Sequence, residues 1–195
     1  MPKTSKAQIV NQEINICQGD VFHDVHYTYI DSENNDNVEI VEFIFPMAII
    51  VSQACDVNSM GEIISDKSGK ATKFMPSILM CPIYDVDEVK KTSHLENVFK
   101  ELNIQKIDGK DERLLYGDDI KVAKKDWHYR FHNFSISINY NNVLDNALID
   151  FKHYFTVPAS YLMKNRNKRA FHLEDIYAEQ ITLKFATYLS RVAIP

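Results

Sequence analysis

The run Met47-Ala48-Ile49-Ile50-Val51 constrains this 195-residue chain more than any other feature. Its apolar residues leave no polar face, so as a strand the run must be covered on both sides. Pro46 stands before it and is expected to interrupt the ladder there; the polar sequence Ser52-Gln53-Ala54-Cys55-Asp56 ends it. A second short apolar run, Ile78-Leu79-Met80-Cys81, reads as another buried strand, expected to stop at Pro82. The length leaves room for one ordinary domain, so both runs belong to one core.

The pattern around these runs is strand-rich first and helical later. Gly19 and Asp20 form a turn pair ahead of an aromatic and β-branched segment that reaches Ile30. Residues 31–37 are polar and predict a hairpin loop, returning the chain into a strand over 38–45. Residues 58–73 read as a long loop. From Asp87 the apolar period changes to 3.6, predicting a helix to about Ile107, then a shorter one near Leu114 to Val122. Strands resume over 127–138 and 147–157, with an Asn-rich turn over 139–146. Leu173, Tyr177, Ile181, Phe185, Tyr188 and Val192 recur at three and four residues and predict a C-terminal helix over 172–192. The expected architecture is one α+β domain over 1–195. Its bent, mostly antiparallel strands lie at 19–86 and 127–160, with a helical insertion over 87–126.

Composition narrows the function classes. With 45% hydrophobic and 25% charged residues the chain is neither disordered nor low in complexity. No apolar run approaches the ~20 residues of a membrane span, and the first residues lack the apolar stretch of a secretory signal, so a cytoplasmic location is expected. Three cysteines, Cys17, Cys55 and Cys81, are an odd and scattered count that predicts no disulfide framework. No Cys-x-x-Cys spacing, helical His-x-x-x-His or Gly-rich phosphate loop occurs, so no metal or cofactor is expected. The net charge of −5 divides into −9 over residues 1–112, which contain no Arg, and +4 over 113–195. That asymmetry argues against a surface that coats nucleic acid and for a local docking face.

Three groups of residues carry candidate chemistry. Ser52, Gln53, Cys55 and Asp56 sit where a buried strand leaves the sheet; Cys55 is a candidate nucleophile if a base lowers its pKa, and otherwise a small buried residue with Asp56 capping the turn. His128, Arg130 and His132 alternate along one predicted strand, so they should share a face on which a guanidinium between two imidazoles can hold a phosphate and either His can act as base. A polar strand face backed by Trp127, Tyr129 and Phe131 produces the same alternation. Lys164, Arg166, Lys168 and Arg169 form a basic loop, interleaved with Asn165 and Asn167, suited to phosphate or to an acidic partner.

Gly19 and Asp20, Pro46 leading into Ile49 to Ser52, and Ile78 to Pro82, in that order, resemble the MazF/PemK toxin family. The resemblance covers about a hundred residues if 147–162 supplies a later strand and the final helix matches the family's own. It implies an SH3-like barrel and a bacterial or phage conflict setting. Those toxins use an Arg near the first hairpin and a Ser or Thr after the third-strand Pro for RNA cleavage. This chain has no Arg before Arg113, and Ile83 and Tyr84 follow Pro82, so the resemblance does not carry the nuclease site with it. The resulting expectation is an accessory or regulatory module that binds RNA, DNA or a protein encoded nearby. The alternatives are a diverged endoribonuclease, a Cys55-dependent hydrolase using His128 or His132, and a structural homodimer.

Overall fold

The computed structural model describes residues 5–9, 15–34, 37–58, 76–91, 130–138 and 141–190. In chain order they form β1 (Ser5–Ile9), β2 (Asp20–Asn34), β3 (Asn37–Ile50), α1 (Ala54–Asn58), β4 (Ser77–Asp85), α2 (Val86–Lys91), β5 (Phe131–Ile138) and β6 (Asn141–Asp150). A 3-10 turn (Phe151–His153), β7 (Phe155–Pro158), α3 (Ala159–Lys164), a second 3-10 turn (Arg166–Lys168), β8 (Arg169–Leu173) and α4 (Asp175–Leu189) complete them. The strands make one eight-stranded sheet in the order β3-β2-β8-β1-β5-β6-β4-β7, with β3 also paired to β4. All its ladders are antiparallel except β1 with β5. The α+β class and mostly antiparallel sheet agree with the sequence. None of the described helices is long and apolar enough to cross a membrane.

Side-chain alternation explains β3 in two halves. Val41, Phe43 and Phe45 are buried while Ile40, Glu42 and Ile44 are exposed, as in a strand with one covered face. Beyond Pro46 the pattern changes: Ala48, Ile49, Ile50 and Val51 are all buried. Both edges are paired here, Val21 to His23 lying on one side and Met80 to Ile83 on the other. Ala48 and Ile50 enter a core with Phe22, Met80, Phe131, Leu148 and Leu162. Ile49 and Val51 point the other way, into a second core with Ile149, Phe151 and the Ala178, Ile181 and Phe185 stripe of α4. Each fully buried Ile or Phe contributes about 1.5–3 kcal/mol of transfer free energy, so a strand feeding both layers, as β4 and β6 also do, is strongly held.

Several boundaries differ from the sequence reading. Pro46 does not interrupt β3; it lies opposite Asp24, whose φ of 48° marks a local distortion, and the register is the same on either side. Pro82 lies inside β4 where that strand changes neighbours, from β7 up to Met80 to β6 from Ile83, so its missing N–H falls in a gap of the ladder. The predicted hairpin loop is shorter than 31–37, because β2 and β3 stay paired as far as Asn34 and Asn37. Likewise β5 and β6 stay paired to Ile138 and Asn141, and the single strand expected over 147–157 is broken by the 3-10 turn at Phe151–His153. The predicted C-terminal helix starts at Asp175, because Arg169–Leu173 is a strand inserted between β2 and β1. α2 is the described start of the helical insertion; the long loop, Trp127 to Tyr129 and most of 87–126 lie outside the described residues.

Gly19 holds the junction of these elements. Its N–H donates to the Ile50 carbonyl, and its carbonyl accepts from the Leu173 N–H. Its φ is +84°, and a Cβ there would stand 2.6 Å from the Ala178 Cβ on α4. Only glycine fits both conditions. Gly19→Ala is therefore expected to lower unfolding free energy by about 1–3 kcal/mol. Adding Ala178→Gly should give a double variant less destabilised than the sum of the two single changes, which urea denaturation of the four proteins would check.

Candidate functional site

Two buried carboxylates organise the charged residues of the second half. Asp20 and Asp150 are both fully buried, and each is joined by an arginine and a histidine. The Asp150 carboxylate accepts from Arg130 Nε at 2.8 Å and Nη2 at 2.6 Å, a bidentate fork. The His153 Nδ1 lies 3.0 Å from the same carboxylate. Asp150 also accepts from the Lys152 N–H, which caps the 3-10 turn and breaks the strand there. Around Asp20, Arg169 Nη1 donates to Oδ2 at 3.0 Å, the Cys17 N–H donates to the same oxygen at 2.8 Å, and His172 Nδ1 stands 2.8 Å from Oδ1.

These contacts correct the placement of two predicted binding residues. Arg130, expected on a solvated strand face, is 7% exposed and lies over the Phe131 ring. Arg169, expected in a basic loop, is 6% exposed and also donates to the Asn15 carbonyl. A guanidinium locked to a buried carboxylate is no longer available to an external phosphate. The other three charges of that segment are dispersed over α3 and the 3-10 turn. Lys164 is exposed, Arg166 folds its Nη2 onto the Met163 sulfur, and Lys168 Nζ donates to the Asp24 carbonyl at 2.9 Å. Of the histidine row, His132 stands with its Nδ1 3.0 Å from Lys184 Nζ on α4, and His128 lies outside the described residues.

The strand-end group is built as a structural corner with an exposed tip. Ser52 is buried, and its hydroxyl accepts from the Leu79 N–H at 2.9 Å, extending the β3–β4 ladder by one side-chain bond. The Gln53 carbonyl accepts from the Asp56 and Val57 N–H groups and so closes the first turn of α1. Cys55 is exposed rather than buried, and its sulfur has Gln53 Oε1 at 3.8 Å and Asp56 Oδ1 at 3.7 Å as neighbours. No imidazole of the described residues lies within hydrogen-bond reach of that thiol. Burial, with Asp20 nearby, pushes the Cys17 thiol up, and burial does the same more strongly to Cys81. Among the described residues no three His, Cys, Asp or Glu side chains gather as a metal site.

Concave surface occurs elsewhere, between the β2–β3 ribbon and α3. A cleft of about 480 Å³ is lined by His26, Thr28 and Glu42 on the ribbon and by Tyr161, Asn165 and Lys168 opposite, with Thr156 to Pro158 of β7 completing the wall. His26 Nδ1 lies 2.6 Å from Glu42 Oε1, and the His26 N–H donates to the Tyr161 hydroxyl at 2.9 Å. The Tyr161 carbonyl accepts from Asn165 Nδ2, which ties the helix end to the wall. The volume suits a side chain or two of a ligand, and the lining mixes apolar stems with several hydrogen-bonding heads. Sequence reading missed His26 and Glu42 because their diagonal meeting depends on the register that sets His26 opposite Ile44 and Thr28 opposite Glu42. Asp150 did carry a signal: a lone charge in Ala147-Leu148-Ile149-Asp150-Phe151 must be paired if the run is buried.

Comparison with known proteins finds no matching family model, no matching curated protein and no matching solved structure.

The two clusters respond oppositely to pH. Burial alone would push the Asp150 carboxyl up, but the hydrogen bonds and charges of Arg130 and His153 outweigh it and hold the group well below the usual carboxylate range. Its contribution is thus full above an unfolded value near ~4 and lost as pH falls through the depressed folded value. Asp150→Asn, which leaves Arg130 buried without its counter-charge, is expected to cost about 3–5 kcal/mol in urea unfolding at neutral pH and to flatten the acid limb of stability. The hydrogen bond to Asp20 raises His172 above its ordinary value against the opposing effect of burial. That stabilisation is full below about pH 6.5 and is lost as pH rises through the folded value. The stability gap between the parent and His172→Ala should therefore narrow on going from pH 6 to pH 9, measured by urea midpoints, while the His172 ring titrates above its ordinary value by NMR.

Proposed function

We propose that this chain is a non-enzymatic accessory module that recognises a protein partner at the cleft between the β2–β3 ribbon and α3. The single observation that carries the reading is the disposition of charge: Arg130 and Arg169 face inward onto buried carboxylates, while the cleft keeps hydrogen-bonding side chains with one carboxylate, Glu42, and one ammonium, Lys168. Nucleic-acid binders need clustered outward cations, and two of the arginines expected to serve in that way are spent on the core. The SH3-like barrel and the bacterial or phage conflict setting remain part of the proposal, on the MazF/PemK resemblance. The barrel reading is supported by the pairing of β3 with β4, which joins strands far apart in the sheet order as a sheet turning back on itself requires.

A second reading, an endoribonuclease or hydrolase, has one observation in its favour. The Asp20 carboxylate orients His172 through Nδ1 and leaves Nε2 as the ring nitrogen for proton transfer, while Cys55 offers an exposed thiol. That reading requires that His172→Ala or Cys55→Ala abolish a measurable turnover.

Co-expression of the chain with the products of adjacent genes, followed by size-exclusion chromatography with light scattering, tests the first reading. A stoichiometric complex is expected, weakened at least ~tenfold by Asn165→Arg in the cleft wall and only slightly by rising salt. Steeply salt-dependent binding to RNA or DNA, or hydrolysis of either, would replace it.

A further inference from the structure

The cleft lies beside a strand edge whose hydrogen-bonding groups identify the kind of partner that fits. β2 pairs with β3 along one side, but on its other side β8 covers only Asp20 to Phe22. The rest of that edge is outside any ladder of the described strands. Two side chains show which groups point out of it: the His26 N–H reaches Tyr161 Oη, and the Asp24 carbonyl reaches Lys168 Nζ. In an antiparallel strand, residues of one parity turn both their N–H and C=O to the same edge. Register with β3 is unbroken from Val25 to Ile30, so Thr28 and Ile30 present their N–H and C=O groups on the side that His26 does. Both residues are exposed, and no backbone hydrogen bond within the described residues takes up those four groups. Across the cleft, β7 is paired on one side by β4 and lends Thr156 to Pro158 to the wall, so the opening lies between two strand edges.

We propose that an extended segment of a partner protein, carrying an acidic residue, adds as a strand to the outer edge of β2 at Thr28 and Ile30 and places its carboxylate against Lys168 in the cleft. A row of unpaired N–H and C=O groups at strand spacing is complementary to another strand and to little else. The cleft then supplies what a bare edge lacks, a pocket for one side chain. Lys168 is bonded there to the Asp24 backbone carbonyl; the exposed Asp24 carboxylate feels its charge but lies beyond ion-pair distance, so an acidic side chain can make the direct pair that no carboxylate of the described residues makes. The Tyr161 hydroxyl occupies the N–H of His26 and sets the end of the added strand. The inference rests on the reading of this cleft as a protein-binding surface.

A displayed library of random twelve-residue peptides, selected on the full chain, supplies the probe. Selected peptides are expected to share an acidic position, to slow amide exchange of Thr28 and Ile30 at least ~tenfold, and to leave amides of the β3–β4 ladder unchanged. N-methylation at alternate peptide nitrogens should weaken binding at least ~tenfold, while methylation at the intervening ones changes little, a periodicity only strand pairing produces. Lys168→Ala should remove the preference for the acidic position. Selection of no peptide, binding without protection of Thr28 and Ile30, or protection of those amides by self-association alone would each overturn the proposal. A co-expressed partner that depends on Asn165 but leaves both amides exchanging freely would overturn strand addition while leaving the protein-binding reading in place.

Discussion

A strand buried on both faces can exist in water only if its backbone is satisfied on both edges, and the four residues from Ala48 to Val51 impose that condition on everything around them. β2 meets one edge and β4 the other, and Ser52 lends a hydroxyl where the second ladder would otherwise end. The side chains then divide between two cores, one ringed by strands and α3, the other closed by α4. Gly19 lets the chain turn tightly enough to bond Ile50 and Leu173 while α4 passes over it. Each of these devices exists because an unpaired peptide group inside the sheet would cost more than any local preference could recover.

Charge is handled by the same economy of burial. Asp20 and Asp150 reside where carboxylates are tolerated only when paired, and each draws an arginine inward and a histidine to its rim. The positive excess of the second half of the chain is consequently smaller at the surface than its composition implies. Lys168 spends its charge on a backbone carbonyl of β2, which brings α3 and its neighbouring turn against the ribbon. The cleft is the by-product of that approach: the ribbon continues past the last residue that β8 can pair, and α3 leans on it without filling the space.

Much of the sheet was legible from residue pattern. The turn at Gly19, the alternation of β2 and β3, the apolar runs and the stripe of α4 all follow local rules that survive packing. Prolines were the main misreading. Pro46 and Pro82 read as strand ends because each lacks an N–H, yet both fall where no ladder bond is asked of them, a circumstance set by neighbouring strands. The candidate site was less legible. The alternation of His128, Arg130 and His132 placed a guanidinium in solvent, whereas the lone Asp150 in an apolar run was the residue that required a partner.

By itself the sequence determined an α+β chain with a two-faced central strand, an amphipathic last helix and a charge gradient, since hydrophobic period and composition act over a few residues at a time. Tertiary structure alone decided that Arg130 and Arg169 turn inward, that His26 meets Glu42, and that β2 runs beyond its pairing with β8 beside a cleft. Those outcomes depend on register and on contacts between residues far apart in the chain, such as Asp20 with His172, and no local period records which distant group will neutralise a buried charge.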